Sequence, residues 1–374
     1  MAVRVLQIVV NLGHNGIDHL VMELYRHIDR ERYQFDFIAH GEAVSPFEEE
    51  VRQMGGRIFY IPTMTENYFA SQRRLLDIIE ENRYQIAHSH QDSMSGWSLK
   101  KARQAGVPVR VAHAHTTDRP KGLRGHIYRM AARGIKTNAN YFLGCTNFAA
   151  QFMFGERITA SERCHILKNA IQTERFQFSE ETRAKTRAEL GLTDELAIIN
   201  VGRLSFAKNH EFLLLLFDEL RRKDPRAVLL IAGQGELSDK LIERAKELEI
   251  EDKVRFLGAR SDIPQLLQAA DIMVMPSLFE GLPLAAVEAQ TSGLPVLFAD
   301  TIDPISAFSP ETEFLSLSES PRRWAERTLE LAHLPSPRQD RIEPAKQSGF
   351  DISIQADKLA DHYDRWLEAE TKTR

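Results

Sequence analysis

Two glutamates in the second half of the chain have the residue type and spacing to hold two sugars. Glu280 lies in a glycine-containing loop after a predicted strand, and Glu288 lies in the helix predicted to follow, within residues 276–290. Carboxylates accept paired hydrogen bonds from neighbouring hydroxyls, so one glutamate can hold a sugar and the other a ribose. The start of the helix between them directs backbone N–H groups at a phosphate that links the two sugars. Two glutamates placed by chance on a surface would rarely carry such a loop between them.

A second loop offers two cations to such a phosphate. Residues 201–210 predict a strand, a turn at Gly202 and a new helix, with Arg203 and Lys208 five positions apart. Two cations beside a helix N-terminus suit a diphosphate, because negative charge grows on a leaving phosphate as its bond breaks. The simpler alternative, two solvated cations on a surface loop, stays open on this motif alone.

A third loop lies near the N-terminus. Residues 11–18 follow the first predicted strand and open a helix, with His14 and Gly16 in the turn. Glycine at such a junction permits a positive φ and lets backbone N–H groups approach a phosphate. The GxGxxG spacing of a dinucleotide-binding fingerprint is missing, so a plain tight turn remains an alternative.

Length and composition limit the class of protein. The 374 residues are too many for one ordinary core, and 43% hydrophobic with 27% charged residues is typical of a soluble globular protein. No apolar run approaches the roughly 18–20 residues that span a bilayer. The first ten residues, interrupted by Arg4, predict a core strand and not a signal peptide. Cys145 and Cys164 form no CxxC pair, which disfavours a zinc site or a disulfide framework and fits the cytoplasm.

Basic residues are concentrated in one stretch of the first half. Between Lys100 and Lys136, ten basic residues accompany one acid, Asp118, although the whole chain has a formal net charge of −5. An exposed basic face is the simplest interpretation. The alternative is a patch that meets anionic lipid head groups or a lipid-linked phosphate, at about 1 kcal/mol per basic residue. Nucleic acid is disfavoured, because aromatic residues are not interleaved with the basic ones.

Short β-branched runs alternate with helical periods, which predicts βαβ units and parallel sheets. The predicted strands of the first half are 3–10, 35–39, 57–60, 86–88, 109–112 and 141–144. Those of the second half are 197–201, 227–232, 254–257, 272–275 and 296–298. A polar segment separates the two series, which predicts domains at 1–170 and 171–351. A closing helix over 352–374 would have an apolar stripe of Ile354, Leu359 and Trp366.

Together these motifs resemble glycosyltransferase family 4, and within it the bacterial exopolysaccharide and capsular polysaccharide transferases. The resemblance covers nearly the whole chain and includes, besides the three loops, the segments 33–37, 88–90, 107–115, 254–258 and 349–352. It implies the GT-B fold, an α/β architecture in which two Rossmann-like domains face each other across a cleft. The first domain would bind the acceptor, the second would bind a nucleotide sugar, and the closing helix would pack back on the first.

The resemblance also implies roles for residues of the second half. Glu280 corresponds to a glutamate that contacts the donor sugar, Glu288 to one that binds the ribose, and Arg203 and Lys208 to a diphosphate clamp. The resemblance implies further donor contacts in the loop after the first strand, in the segment that holds the nucleobase, and in the loops that carry Arg203 and Glu280. These residues are Gly16, Leu257, Arg260, Gly202, Gly281, Leu282, Pro283 and Leu284.

Histidines of the first half complete the implied site. His115, after the fifth strand, corresponds to a histidine at the reaction centre, and His14, His88 and His90 are candidates on the acceptor side. A histidine near a strand end is often simply hydrogen-bonded structure, and this alternative stays open. His113 is expected to point away from the cleft, since successive strand residues face opposite sides.

The sequence contains no Asp-X-Asp motif, so the two loop cations are expected to serve the diphosphate as a divalent metal does elsewhere. No metal and no cofactor is expected. The resemblance implies retention of anomeric configuration, and front-side attack is favoured because no carboxylate is placed as a nucleophile. The expected enzyme is a hexosyltransferase that uses a UDP-sugar in preference to a GDP-sugar. Its acceptor would be a saccharide, lipid-linked in exopolysaccharide or capsule biosynthesis, and the chain would be cytoplasmic or peripheral at the inner membrane face.

Three other kinds of protein could share this fold. A nucleotide-sugar epimerase is disfavoured by the combination of the clamp loop with the paired glutamates. A phosphorylase usually needs pyridoxal phosphate, for which the sequence has no signature. A catalytically inactive scaffold tends to lose the residues that bind the donor. All four of them, Arg203, Lys208, Glu280 and Glu288, are present.

Overall fold

The computed structural model of the chain describes residues 2–13, 16–41, 43–116, 122–280, 282–334 and 338–372, without the side chains of residues 123 and 124. The chain divides into two compact units, Met1–Ala170 with Ile352–Arg374, and Ile171–Asp351. Each unit has a hydrophobic core and a parallel sheet.

In the described part of the first unit, seven parallel strands lie in the order β3-β2-β1-β4-β5-β6-β7. These strands are β1 (Val3–Ile8), β2 (Tyr33–His40), β3 (Arg57–Ile61), β4 (Ile86–Ser89), β5 (Val109–Ala114), β6 (Tyr141–Gly144) and β7 (Cys164–Ile166). The helices are α1 (Gly16–His27), α2 (Glu48–Gln53), α3 (Tyr68–Asn82), α4 (Ser95–Gln104), α5 (Gly122–Asn138), α6 (Asn147–Phe154) and α7 (Glu156–Thr159).

The second unit repeats the plan, with six parallel strands among its described residues in the order β10-β9-β8-β11-β12-β13. These strands are β8 (Ala197–Val201), β9 (Val228–Ala232), β10 (Val254–Gly258), β11 (Ile272–Met275), β12 (Val296–Ala299) and β13 (Thr312–Leu315). The helices are α8 (Glu180–Glu189), α9 (His210–Lys223), α10 (Ser238–Glu247), α11 (Ile263–Ala269), α12 (Leu284–Thr291), α13 (Pro321–Ala332) and α14 (Ile342–Gln347).

The predicted parallel α/β architecture is confirmed, but the sequence prediction missed two strands. Each predicted strand forms, and no end differs by more than two residues from the prediction. The missed strands, β7 and β13, pair on one side only, at the edges of their sheets, and their residues are half-buried. Central strands of a parallel sheet are buried on both faces, so their sequences are continuous apolar runs. The two missed edge strands are only half-buried, and their sequences contain polar residues.

The cores explain why the central strands are apolar. All five residues of β8 and all five of β9 are buried. In the first unit, the ring of Tyr25 on α1 stacks on Phe35 of β2 with centroids 5.1 Å apart. In the second, the buried Trp324 of α13 donates its Nε1–H to the Ser316 carbonyl at 3.0 Å. Helices thus cover each sheet and leave the strand ends to carry polar loops.

The last helix, α15 (Ile352–Lys372), belongs to the first unit. Leu359, Tyr363 and Trp366 are buried in that core, and Trp366 stacks on Tyr141 with centroids 4.6 Å apart. The prediction that Ile354 lies on the apolar stripe is wrong, because its side chain is exposed. The buried face includes Ile352, Ala356, Leu359 and Tyr363, spaced three and four apart, and position 354 lies off that face.

The two cysteines and the helices bear on two further expectations from the sequence. Cys145 is buried, Cys164 is partly buried, and neither forms a disulfide bond with a described residue. No helix within the described residues has the length and apolar content that a membrane crossing requires.

Candidate functional site

Each sheet has one place where the strand order reverses. In the first unit it lies between β1 and β4, and in the second between β8 and β11. Loops at the carboxyl ends of the two strands diverge there and leave a crevice in which ligands of open α/β sheets bind. The sequence-predicted loops at Gly16, Gly202 and Glu280 follow three of these four strands, and His90 follows the fourth.

Close backbone packing fixes the clamp loop after β8. A Cβ atom on Gly233 would lie 1.9 Å from the Gly202 carbonyl oxygen, and one on Gly235 would lie 2.2 Å from the Leu204 carbonyl oxygen. Glycine is therefore required where the loop after β9 packs against the loop after β8. The side chain of Arg203 extends from this fixed backbone into solvent and pairs with Glu236 at 3.1 Å.

The structure brings Lys208 and Glu280 together. The Lys208 ammonium contacts the Glu280 carboxylate, which also accepts a hydrogen bond from Ser277 Oγ at 3.2 Å. The two loops are joined by their backbones, since Leu278 N donates to the Ala207 carbonyl at 2.8 Å. The Lys208 ammonium and the Glu280 carboxylate therefore lie next to each other at the β8–β11 crevice.

Glu288 lies on α12, one turn after the Glu280 loop, and is largely screened from water. Burial raises the pKa of Glu288 to about 7, although the charge of Arg175 acts in the opposite direction. The carboxyl can therefore exchange a proton near neutral pH. Leu282 and Pro283 are buried at the start of α12, and Leu284 is its first residue.

The predicted nucleobase segment lies at the end of β10. Gly258 has a φ of +69° and its carbonyl accepts from Gly233 N at 2.8 Å, which ties this segment to the glycine loop after β9. Leu257 is half-buried, and Arg260 forms an ion pair with Asp262 at 2.5 Å. The backbone here is well fixed, and the Arg260 guanidinium already has a carboxylate partner.

The loop after β1 is ordered by Asp18 from the first turn of α1. Its carboxylate accepts a hydrogen bond from Gly13 N at 2.7 Å. A Cβ atom on Gly16 would meet nothing within 4 Å, so space adjoins the start of α1. His14 and Gly281 lie outside the described residues.

The four histidines of β4, β5 and their ends are buried together in the first unit. Among them, His113 contacts His88 and His115 contacts His90, with nitrogen–nitrogen distances of 3.2 and 3.0 Å. Burial lowers the pKa of His115 to about 4 and lowers the pKa values of the other three well below their usual range. All four imidazoles are therefore neutral at physiological pH.

Asp92 is a partly buried carboxylate of this region that no sequence motif indicated. It follows β4 with a φ of +47°, an uncommon conformation for a non-glycine residue. Its Oδ1 accepts from His115 N at 2.8 Å, and burial raises the pKa of Asp92 to about 6. Asp92 thus fixes the backbone at His115, a contact across 23 residues that no local motif indicates.

Three of the imidazoles are close enough to be considered as metal ligands. Nitrogen atoms of His88, His90 and His113 all lie within 4.8 Å of one another. Tetrahedral zinc with bonds of 2.0–2.1 Å would need nitrogens about 3.4 Å apart. The nitrogens that face one another are already engaged in hydrogen bonds, which account for the cluster without an ion.

Comparison with known proteins settles the family. A model described as "Glycosyltransferase Family 4" matches residues 14–175, and one described as "Glycosyl transferases group 1" matches residues 182–348. EpsF of Bacillus subtilis (strain 168), a protein named as a glycosyltransferase, is 35% identical over 371 residues, which cover 96% of each chain. The chain belongs to glycosyltransferase family 4. The enzyme is therefore a glycosyltransferase that takes its sugar from a nucleotide-sugar donor.

One further relative and one solved structure are similar to this chain over most of its length. The Escherichia coli UDP-Gal:alpha-D-GlcNAc-diphosphoundecaprenol alpha-1,3-galactosyltransferase is 24% identical over 300 residues, 76% of each chain. The crystal structure of Anabaena HepE in complex with UDP and glucose superimposes with a TM-score of 0.74 over 99% of this chain and 98% of that one, at 17% identity. The fold is GT-B, as the sequence resemblance implies.

Proposed function

We propose that the enzyme is a retaining, metal-independent hexosyltransferase that transfers a sugar from a UDP-sugar to a lipid-linked saccharide in exopolysaccharide or capsule biosynthesis. The observation that carries the proposal is the contact between Lys208 and Glu280 at the β8–β11 crevice. One loop supplies a cation for a phosphate, and the other supplies a carboxylate for sugar hydroxyls.

Individual roles follow from this placement and from the family resemblance. Arg203 and Lys208 bind the diphosphate, Glu280 binds the transferred sugar and Glu288 binds the ribose. Leu257 and Arg260 border the base, where the backbone fixed by Gly258 can offer hydrogen bonds. The N–H groups of Leu282 and Leu284 at the start of α12, and those at Gly16, serve the phosphates, while Pro283 lies between the two donors. His115 is proposed at the reaction centre, with His88 and His90 on the acceptor side.

The proposed step needs no nucleophile from the protein. The bond between the sugar anomeric carbon and the diphosphate oxygen breaks, and the acceptor hydroxyl oxygen bonds to the same face of that carbon. The hydroxyl proton passes to the departing phosphate oxygen, so atoms and charges balance. Lys208 and Arg203 stabilise the negative charge that develops on the leaving group, which is the part that a divalent metal has in other transferases.

UDP is proposed as the donor nucleotide because two relatives point to it. The E. coli galactosyltransferase is named for UDP-Gal, and HepE was crystallised with UDP and glucose. A transfer assay with labelled UDP- and GDP-sugars, with and without EDTA, tests the proposal. We expect transfer from a UDP-sugar that EDTA leaves unchanged, and a product whose anomeric configuration matches the donor by NMR. An inverted anomer would exclude retention, and conversion of donor alone to an epimer would indicate the rival activity.

Glu288 provides a pH-dependent test of the ribose site. Its pKa is about 7 in this structure, so the carboxyl is protonated in slightly acidic solution. Ribose hydroxyls donate to the ionised form, so donor binding should release this proton. We expect affinity for UDP-glucose to rise by up to about tenfold per pH unit below the pKa and to level off above it. Calorimetry between pH 5.5 and 8 measures this.

The matched control for this titration is Glu288→Gln, which keeps the shape and removes the charge. Its affinity should be lower above pH 7 and nearly independent of pH. UDP-glucose is the probe of choice, because its diphosphate, unlike that of UDP, has no proton to lose in this range. A pH dependence that survives in Glu288→Gln would show that another group is responsible.

The acceptor proposal rests on an exposed face of α5 and α6 in the first unit. Arg129, Arg133 and Lys136 are exposed at helical spacings of four and three, along one side of α5. Apolar side chains are exposed beside them, namely Ile127 (39%), Met130 (61%), Phe148 (60%) and Phe152 (38%). Cations flanking exposed apolar and aromatic groups fit an anionic membrane surface, where both kinds of side chain find a partner. We call these seven residues the α5–α6 face.

Neutralising the α5–α6 face should weaken binding to anionic vesicles. At about 1 kcal/mol per basic residue near the surface, Arg129→Ala, Arg133→Ala and Lys136→Ala together should reduce the partition coefficient about 100-fold. Vesicle flotation with phosphatidylglycerol liposomes, and with phosphatidylcholine liposomes for comparison, measures the effect. The control replaces three exposed lysines of the second unit, Lys185, Lys240 and Lys246, by alanine. Equal loss in both triple variants would exclude a specific face.

A further inference from the structure

Asp92 is a carboxylate at the β1–β4 reversal of the first sheet that the proposed step does not use. It directly follows the end of β4, and the loop that carries it is bonded to both neighbouring strands. On one side His90 N donates to the Ile8 carbonyl of β1 at 2.9 Å. On the other side Asp92 Oδ1 accepts from His115 N, at the end of β5, at 2.8 Å. The carboxylate is therefore fixed at the edge of the sheet where ligands of open α/β sheets bind.

Access distinguishes Asp92 from the histidines beside it. His88 and His90 are 0% and 2% exposed, and their rings contact other buried side chains. In this structure neither ring is open to a substrate. Asp92 is partly exposed. Of these three side chains of β4 and its loop, Asp92 is the one that a bound substrate can touch directly.

The Asp92 carboxylate carries its charge without a cation. Burial raises the pKa of Asp92 to about 6, the backbone N–H groups of His115 and Thr116 act to lower it, and no charged side chain of the described residues contributes. The carboxyl is therefore largely ionised at neutral pH, with its charge stabilised by hydrogen-bond donors. It can accept further hydrogen bonds, because an ionised carboxylate has about four acceptor positions.

The backbone at Asp92 has a conformation that glycine adopts more easily. Its φ of +47° lies in the left-handed region, which aspartate and asparagine tolerate better than other residues with a side chain. Such conformations persist where the surrounding structure requires them, and they are frequent at ligand sites. A glycine here would fit the φ but would offer no carboxylate, either to the backbone of His115 or to a ligand.

A saccharide hydroxyl is the group that suits this carboxylate. Phosphates and nucleotides are anions, which Asp92 would repel. A metal ion is disfavoured, because Mg²⁺ and Ca²⁺ take several oxygen ligands and the groups found at this carboxylate are N–H donors. Sugar hydroxyls are neutral donors, and a carboxylate can accept hydrogen bonds from two neighbouring hydroxyls.

We propose that Asp92 binds the acceptor, by accepting a hydrogen bond from a hydroxyl of the acceptor sugar while its Oδ1 holds the backbone of His115. The inference rests on the proposed function, in which the acceptor is a saccharide and His115 lies at the reaction centre. Asp92 takes no proton in this role, because the proton of the reacting hydroxyl passes to the departing phosphate oxygen. One carboxylate thus orients both the strand end at the reaction centre and the sugar that binds there.

Asp92→Asn separates acceptor binding from a purely structural role. Asparagine tolerates the same φ and keeps an oxygen for His115 N, but it places an N–H₂ donor where the second carboxylate oxygen accepts. We expect a folded enzyme whose KM for the acceptor rises about 10- to 100-fold, the usual effect of losing a hydrogen bond to a charged group. The KM for UDP-glucose should not rise with it.

The kinetics use UDP-glucose as the donor and three soluble acceptor probes, octyl glucoside, octyl galactoside and octyl N-acetylglucosaminide. An unchanged acceptor KM in folded Asp92→Asn would overturn the inference. So would a wild-type enzyme that UDP-glucose stabilises but that transfers to none of the three glycosides. If Asp92→Asn fails to fold, Asp92→Gly, which suits the positive φ, takes its place with the same expectation.

Deoxy analogues of the glycoside with the lowest KM identify the hydroxyl that Asp92 binds. In the wild type, one deoxy analogue should raise KM by the same 10- to 100-fold. In Asp92→Asn this analogue should cause little further loss, because both changes remove a single interaction. If every deoxy analogue has the same effect in both enzymes, Asp92 acts only through the structure and the inference fails.

Glu249→Gln is the matched control, because it makes the same exchange of carboxylate for amide at a residue with a similar φ, +55°. Glu249 is exposed between α10 and β10 of the second unit, so its acceptor KM should equal that of the wild type. The proposed function is tested separately by the donor. If UDP-glucose neither stabilises the wild type nor donates its sugar, the proposed function fails. If it does both and only the KM of Asp92→Asn is unchanged, the inference alone fails.

Discussion

Replacing Lys208 by alanine should lower kcat for sugar transfer about 10²- to 10³-fold. A preorganised donor aimed at charge that develops in the transition state is worth about 10²–10³ in kcat when removed alone. Lys208 has this placement, because its ammonium is largely buried against Glu280 and its loop is fixed by Gly202, Gly233 and Leu278. Steady-state kinetics with a UDP-sugar at saturating concentration measures the change.

The matched control for Lys208→Ala is Lys185→Ala, an exposed lysine of the same unit that pairs with Glu189 at 4.0 Å. Its kcat should equal that of the wild type. Because Lys208→Ala leaves Glu280 without its cation, the melting temperature of both variants should be measured beside kcat. A Lys208→Ala enzyme that is folded and retains more than about a tenth of wild-type kcat would show that the leaving diphosphate is stabilised elsewhere.

Replacing Trp366 by alanine should reduce the free energy of unfolding of the first unit by about 3–5 kcal/mol, the usual cost of removing a buried tryptophan. Trp366 is 4% exposed, stacks on Tyr141 and adjoins His362 and Tyr363 on the same helix. Its loss would leave a cavity between α15 and the sheet that the rigid strands cannot fill. Urea unfolding followed by circular dichroism measures the change.

Ile354→Ala is the control for Trp366→Ala. Ile354 lies on the same helix, but its side chain is 42% exposed, so the substitution should change stability by no more than about 0.5 kcal/mol. If the two variants have the same midpoint of unfolding, α15 does not stabilise the core of the first unit. The pair also tests which residues form the buried apolar face of this helix, a face that does not include Ile354.

Loops that follow strands could be predicted from the sequence because their residues are local. Gly202, Lys208 and Glu280 lie in short segments where a buried strand ends and a helix begins, and that pattern is visible in the letters. The contact between Lys208 and Glu280 follows once both strands are placed at the reversal of strand order. Arg203 differs, because its partner Glu236 lies on the loop after the next strand and no motif indicates the pairing.

The contacts of Tyr363 with His88 and of Gln7 with His90 could not be predicted, because these residues are distant in sequence and of ordinary core type. Gln7 and Tyr363 are separated by 356 positions, and each occupies an element that reads as ordinary core. Strand alternation led us to expect that His113 points away from the cleft, but it said nothing of the contact that its ring makes with His88 on the neighbouring strand. Alternation gives the face of a side chain but not the partners that it meets across the sheet.

The most direct test of the central claim is a thermal-shift panel with UDP, GDP, ADP and their common sugar conjugates, on the wild type and on Glu288→Ala. A ligand that binds only the folded protein adds about 2.7 kcal/mol of stability at 100 times its dissociation constant, which is a readily measured shift. We predict a clear rise in melting temperature with UDP and UDP-sugars that is lost in Glu288→Ala. A wild-type protein that no nucleotide stabilises, or an equal shift in the variant, would contradict the donor site proposed at Lys208, Glu280 and Glu288.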